Sequence, residues 1–351
     1  MNTETFIENL IAQYPLCQIQ DICKALYQSC YGCEHLIEDR EACHNRIVKE
    51  HCEMKRSSEK TVEMLMGNYA RVSLSILDEG LSADTMTSLF MMTSRKESNS
   101  HAVLQEHLSV LQKMIEEGKT PFDKESALLW LSAWKEVGYL PISHSKAYHD
   151  AYHPAYRLIH KDYLPYLPVL VMLDLRMKDH VVIAIDGHCG SGKTTLGTFL
   201  QSVYDASLVH VDDFYLQKSQ RTKERYSQPG GNFDRERLEE EVLLPLSEGK
   251  PVVYHWFDCS SLTLTQEKIT LPTKNMTIIE GSYSMYPSLR HYYDCSIFVD
   301  IEPDEQIARI KKRNPDLIDD FIEKWIPLEN TYFDAFDVKN ACDITITTTT
   351  Q

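Results

Sequence analysis

The sequence predicts an α/β unit over residues 176–351, a parallel sheet flanked by helices, preceded by an all-α unit over residues 1–175. Three observations lead there. Before residue 170, apolar residues recur at helical spacing. From Val181 onward, short β-branched runs alternate with helix-like stretches, the pattern of a parallel sheet. Between the first such run and the first helix after it lies a glycine-rich turn, GHCGSGKT (187–194).

Taken in order, Phe6, Ile7, Leu10 and Ile11 share one helical face, and Ile19, Ile22 and Leu26 another. Val103, Leu104, His107, Leu108, Leu111, Met114 and Ile115 make a longer stripe that Gly118 can stop. Thr120-Pro121 restarts a helix through LLWLSAW, and Gly138 closes it. Cys17, Cys23, Cys30, Cys33, Cys43 and Cys52 cluster near His35, His44 and His51. Cys30 and Cys33 have half of a zinc spacing, but no second half follows, so buried thiols are the preferred reading. The segment HSKAYHDAYHPAYRLIHKDY (144–163), dense in Tyr and His, reads as amphipathic interdomain packing, or as a segment reaching over a cleft. The boundary falls near 170–180. Strands are expected at 181–185, 207–211, 276–279, 296–300 and 343–347.

Composition narrows the function classes. A chain of 351 residues suits two domains, and 43% apolar with 25% charged residues suits packed cores. The net charge of −16 is spread over both halves without a basic stripe, so no nucleic-acid partner is expected. MNTETFIENL lacks the basic start and apolar core of a signal peptide. YLPYLPVLVML (163–173) is too short to span a bilayer. A cytoplasmic protein with ten reduced cysteines and no membrane contact is the expectation. Whether it forms a homo-oligomer is left open.

GHCGSGKT fits G-x-x-x-x-G-K-[ST] without a mismatch. Its glycines let successive backbone N–H groups converge on phosphate oxygens. The loop therefore predicts ATP or GTP binding by Gly187, His188, Cys189, Gly190, Ser191, Gly192, Lys193, Thr194 and Thr195. Lys193 is the mobile charge for the β/γ phosphates, and the Thr194 hydroxyl is a ligand for Mg²⁺. The following helix aims its N-terminal dipole at the anion. His188 and Cys189 read as filler facing away from phosphate.

The later strands supply carboxylates and cations. LVHVDDFYL (208–216) sets Asp212 and Asp213 at the C-terminal end of a strand, where open α/β sheets bind ligands. Adjacent strand residues point to opposite faces, so only one of the pair is expected to face a substrate. MTIIEG sets Glu280 at another strand end, QPGGNFDRERL carries Asp234, and QIARIKKRN places Arg309 and Arg313 four apart on one helix face.

In this order, GHCGSGKTT, DDFY, NFD, IIEG and the tail WIPLENTYFDAF…CDITIT resemble the uridine kinase and phosphoribulokinase group of phosphate-loop kinases. That group includes uridine–cytidine kinases, nicotinamide riboside kinases and one type of pantothenate kinase. The resemblance covers about half the chain. It implies in-line transfer of a γ-phosphoryl group from Mg·ATP to a small-molecule hydroxyl. Asp212 would be the base, Lys193 with Arg309 and Arg313 the charge neutralisers, and Thr194 with Glu280 the metal side. Asp213, Tyr215 and Asp234 would lie on the acceptor side. Two stretches depart from the group. KKRNPDLIDDF is short and carries Asp316, Asp319 and Asp320 where an Arg-rich lid is usual, and VVYHWFDCSS (252–261) replaces the usual pyrimidine-contacting stretch. Tyr254, His255, Phe257 and Asp258 there could build an acceptor pocket, or belong to an ordinary strand with one aromatic face buried. A nucleoside is the first expectation for the acceptor. A phosphosugar, a pantothenate-like molecule or a nucleotide-sugar is the alternative, and a nucleotide-gated switch a third reading.

Overall fold

Five β-branched runs form one parallel sheet in the C-terminal half of the computed structural model, which describes residues 1–33, 39–54, 61–96, 101–258 and 261–348. The chain divides into two compact units, Met1–Val171 and Met172–Gln351.

The first unit is built from helices α1 (Thr3–Gln13), α2 (Ile19–Tyr31), α3 (Arg40–Glu53), α4 (Ala83–Ser94), α5 (His101–Glu116), α6 (Lys124–Glu136) and α7 (Lys146–Tyr152). Side-chain caps fix several starts: Asn2 accepts from Thr5 N–H and Ser145 from Tyr148 N–H. Along α5, Leu104, Leu108, Leu111 and Ile115 are buried, and Gly118 (φ +71°) follows its end. Helix α6 begins later than Thr120-Pro121 suggests, because Asp123 accepts from Ser126 N–H and sets the cap there.

The expectation of an all-helical first half is corrected by a small antiparallel sheet, β1 (Val62–Met64), β2 (Tyr69–Ser73) and β3 (Tyr156–His160), in the order β1-β2-β3. These strands have five residues or fewer, too short for an alternation to stand out among helices. Strand β3 lies inside the Tyr/His-rich segment, so that stretch is partly a sheet strand. Cys30 and Cys33 are buried, and His35 lies outside the described residues. No group of three or more His, Cys, Asp or Glu placed to hold a metal occurs among the described residues.

A short helix α8 (Leu167–Leu175) spans the point of division. In the second unit the sheet order is β10-β9-β4-β8-β5, from β4 (Val181–Gly187), β5 (Ser207–His210), β8 (Met276–Glu280), β9 (Cys295–Asp300) and β10 (Ile344–Thr347), all parallel. The three inner strands read as near-continuous apolar runs because both faces of a parallel sheet are covered. Helix α9 (Lys193–Tyr204) buries Leu196, Phe199, Leu200 and Val203 at helical spacing, and Asp205 ends it in the left-handed region. The strand read within 252–261 exists as β6 (Val253–Asp258), paired with β7 (Thr263–Thr270) in a hairpin of its own. No described helix is long and apolar enough to cross a membrane.

Candidate active site

The phosphate loop joins β4 to α9. At Gly187 (φ +140°) a Cβ would stand 2.1 Å from the Val299 carbonyl oxygen, and Gly192 (φ +102°) turns the chain into the helix. Lys193 is buried and donates to the carbonyls of Gly187 (2.8 Å) and His188 (3.0 Å), which hold its ammonium over the loop. The Thr194 hydroxyl donates to both oxygens of Glu280, at 3.1 and 3.3 Å. Glu280 also meets His210 Nδ1 at 2.5 Å, and that hydrogen bond raises the His210 pKa. Thr194 and Glu280 together offer hard oxygen donors, the ligand type that suits Mg²⁺.

A cavity of about 790 Å³ opens beside the loop. Gly190, Gly192, Lys193, Thr194 and Thr195 form one wall, with Asp212 and Glu280 facing them. Arg309 and Arg313 line it from the helix Pro303–Arg313. Arg309 is anchored by Glu305 (2.7 Å) and donates to the Thr348 hydroxyl (3.0 Å), which itself donates to the Ser191 carbonyl (2.6 Å). Residues just beyond β10 thus brace the phosphate loop.

Asp212 and Asp213 do not sit on a strand. Strand β5 stops at His210, and Val211–Phe214 form a 3₁₀ turn, so the expected face alternation does not apply. The two carboxylates still part company. Asp212 lines the cavity and accepts from the Tyr215 hydroxyl (3.0 Å). Asp213 is within 3.4 Å of the Tyr254 hydroxyl, and its carbonyl accepts from buried Arg237. Arg237 also donates to the His255 carbonyl (2.6 Å) and lies over the Phe214 ring, pinning the turn to β6. Desolvation raises the Asp212 pKa, with the nearby Lys193 charge opposing it. If ionised Asp212 is needed for turnover, activity falls as pH drops through that raised pKa. The acid limb of kcat/KM is therefore expected above the ordinary carboxylate value of about 3.9, and a pH–rate profile reads it directly.

Asp234, Tyr254, His255, His188 and Ser191 lie off the cavity. Asp234 is buried as a helix cap, accepting from Arg237 N–H (3.2 Å) and Gln220 Nε2 (2.8 Å). Tyr254 is buried behind Asp213, and His255 Nδ1 meets the Thr265 carbonyl on β7 (2.9 Å). His188 packs edge-on against Phe298 and Phe333, while Ser191 is buried under the loop. Cys189 lines the cavity; burial pushes its thiol well above the usual range.

Sequence reasoning missed several cavity residues. Arg221, Tyr226, Asn232, Tyr283, Phe321, Trp325 and Glu329 line it, together with Phe257, which the 252–261 stretch had offered. Glu329 is buried on the helix Ile326–Phe336, where it accepts from the Cys189 N–H (2.8 Å) and the Ser282 hydroxyl (2.5 Å). The WIPLENTYF stretch was the available signal for it. Asp186, the residue before the loop, was also missed. Its buried carboxylate accepts from Gly187, Tyr283 and Met285 N–H and from the Tyr332 hydroxyl, at 2.7 to 3.2 Å. Burial pushes this carboxyl up to about 6. Asp186→Ala strands four donors, so it is expected to destabilise the chain by about 3 kcal/mol or more, read as a lower denaturation midpoint in urea.

Comparison with known proteins covers about half of the chain. No protein-family model matches the chain. A uridine kinase from Macrococcus caseolyticus is 30% identical over 187 residues, 48% of this chain and 89% of that protein. The chain belongs to the uridine kinase family. A second uridine kinase, from Staphylococcus epidermidis, is 31% identical over 142 residues, covering 38% of this chain and 68% of its own. Among solved structures, one described as a possible uridine kinase from Bacillus stearothermophilus aligns over 53% of this chain and 96% of its own. Its identity is 20% and its TM-score 0.41. Membership in the uridine kinase family supports a kinase built on this phosphate loop.

Proposed function

We propose that residues 176–351 transfer the γ-phosphoryl group of ATP to a hydroxyl of a nucleoside, with Asp212 as the base. The observation that carries this reading is one cavity that holds both the phosphate loop and Asp212, with aromatic side chains also in its lining. Tyr215, Phe257 and Tyr283 there offer flat apolar surface for a planar base. The loop N–H groups and Lys193 would hold the β/γ phosphates, and Thr194 with Glu280 would hold Mg²⁺. That ion would neutralise charge on the transferring group. Asp212 would orient the acceptor hydroxyl and take its proton, while Arg309 and Arg313 balance charge at the phosphates.

Arg221 favours a second reading. Its guanidinium lines the cavity, lies 5.7 Å over Phe257, and donates from Nε to the Leu216 carbonyl. A cation there suits an acidic acceptor such as a phosphosugar or a pantothenate-like carboxylate. One assay separates the readings: ADP release from Mg·ATP with uridine, cytidine, a sugar phosphate or pantothenate. ADP release that depends on uridine or cytidine supports the nucleoside reading. Dependence only on the anionic acceptors moves the assignment to the second, and release indifferent to all four defeats both.

A further inference from the structure

A separate cavity of about 140 Å³ lies in the first unit, walled by α2, α3, α4 and β3. It owes nothing to the phosphate loop. Arg157 on β3 is 7% exposed and forms part of its lining. One terminal nitrogen, Nη1, donates to Glu50 (2.6 Å) and to the Tyr156 carbonyl (2.9 Å). The other, Nη2, is buried with no hydrogen-bond partner. That nitrogen is sealed from the cavity, so the rest of the guanidinium is what a ligand there can meet. Arg46 on α3 is exposed, lines the same cavity, and makes no hydrogen bond or ion pair among the described residues.

The surroundings favour a negative ligand. Glu50 is the one carboxylate lining the cavity, and it is already paired with Arg157. Arg46 therefore leaves the site with an uncompensated positive charge in a chain of net charge −16. Phe90, Ala42 and Leu158 add apolar wall beside the two guanidiniums. The rear wall is fixed by a buried relay. Asp21 accepts from Ser145 and pairs with His144, whose Nε2 meets the Tyr156 hydroxyl (2.8 Å). Gln28 bonds the same hydroxyl (3.1 Å) and is held by Arg71 (2.8 and 3.0 Å). Such a network keeps the cavity's shape without a ligand present.

We propose that this cavity binds a small organic anion, its carboxylate or phosphate group meeting Arg46 and the Arg157 guanidinium and its short apolar body lying against Phe90. The anion is a second ligand of the kinase, distinct from nucleotide and acceptor. The test is calorimetric titration of the full chain with inorganic phosphate, glycerol phosphate and succinate in turn. Saturating Mg·ADP is kept present so that the phosphate loop does not compete. One equivalent of at least one probe is expected to bind, with the choice of probe separating phosphate from carboxylate chemistry. Arg46→Ala and Arg157→Lys are each expected to weaken that binding at least about tenfold. Arg46 supports no described contact, so Arg46→Ala reads binding without disturbing the fold, and thermal melts check Arg157→Lys. Absence of binding by all three probes up to about 10 mM, or undiminished binding in Arg46→Ala, overturns the proposal.

Discussion

Asp212→Asn is expected to lower kcat by about 10²–10⁴-fold while leaving ATP affinity nearly unchanged. The amide keeps the shape of the side chain and the contact with Tyr215, but it cannot accept the acceptor's proton. Proton loss is late in a loose phosphoryl-transfer transition state, so orientation and charge make up part of the effect. Asp213→Asn is expected to act more weakly. Its carboxylate meets Tyr254 behind the 3₁₀ turn, and Arg237 holds that turn through the Asp213 carbonyl, which the substitution keeps. Steady-state kinetics of the two variants distinguish them. A larger loss in Asp213→Asn would reverse the assignment, and no loss in either would remove carboxylate-assisted transfer.

Lys193→Ala is expected to reduce turnover by at least about 10²-fold, with weaker nucleotide binding. The Lys193 ammonium is held by the Gly187 and His188 carbonyls at the point where the loop closes. Arg309 and Arg313 approach from another helix; Arg309 is tied to Glu305 and Thr348, and Arg313 Nε to Asn314 (2.8 Å). Neither can move into the Lys193 position without giving up those contacts. Near-normal turnover in the variant would mean that the loop is not where the nucleotide reacts.

The second unit was legible because its signals are local. Buried parallel strands must be apolar on both faces, and a phosphate loop must carry glycine where a Cβ would strike the neighbouring strand, as at Gly187. Glu280 at the end of β8 could likewise be placed from the sequence, whereas Asp212 and Asp213 lie on a 3₁₀ turn past their strand. What escaped depends on distant contacts. Asp186 reads as one polar residue ending an apolar run, and only the fold brings Tyr332 and the 283–285 amides to it. Asp234, with its NFD context, pointed to the acceptor, yet a short polar side chain at a helix start equally makes a cap, and here it does. Tyr254 and His255 were ambiguous because a hairpin strand and a pocket wall share one alternating pattern. In the first unit, β1, β2 and β3 were hidden by brevity, and β2 and β3 pair across more than 80 residues of mostly helical chain.

The bracing of the phosphate loop also sets an order of assembly. Asp186 meets Tyr332 across 146 residues, Cys189 meets Glu329 across 140, and Ser191 meets Thr348 across 157. Loop-closure entropy makes such distant pairings slow to form. During synthesis, the loop leaves the ribosome long before the helix and strand end that support it. The nucleotide site therefore becomes competent only after residues 329–348 have been made, and stabilisation by bound nucleotide cannot act before then.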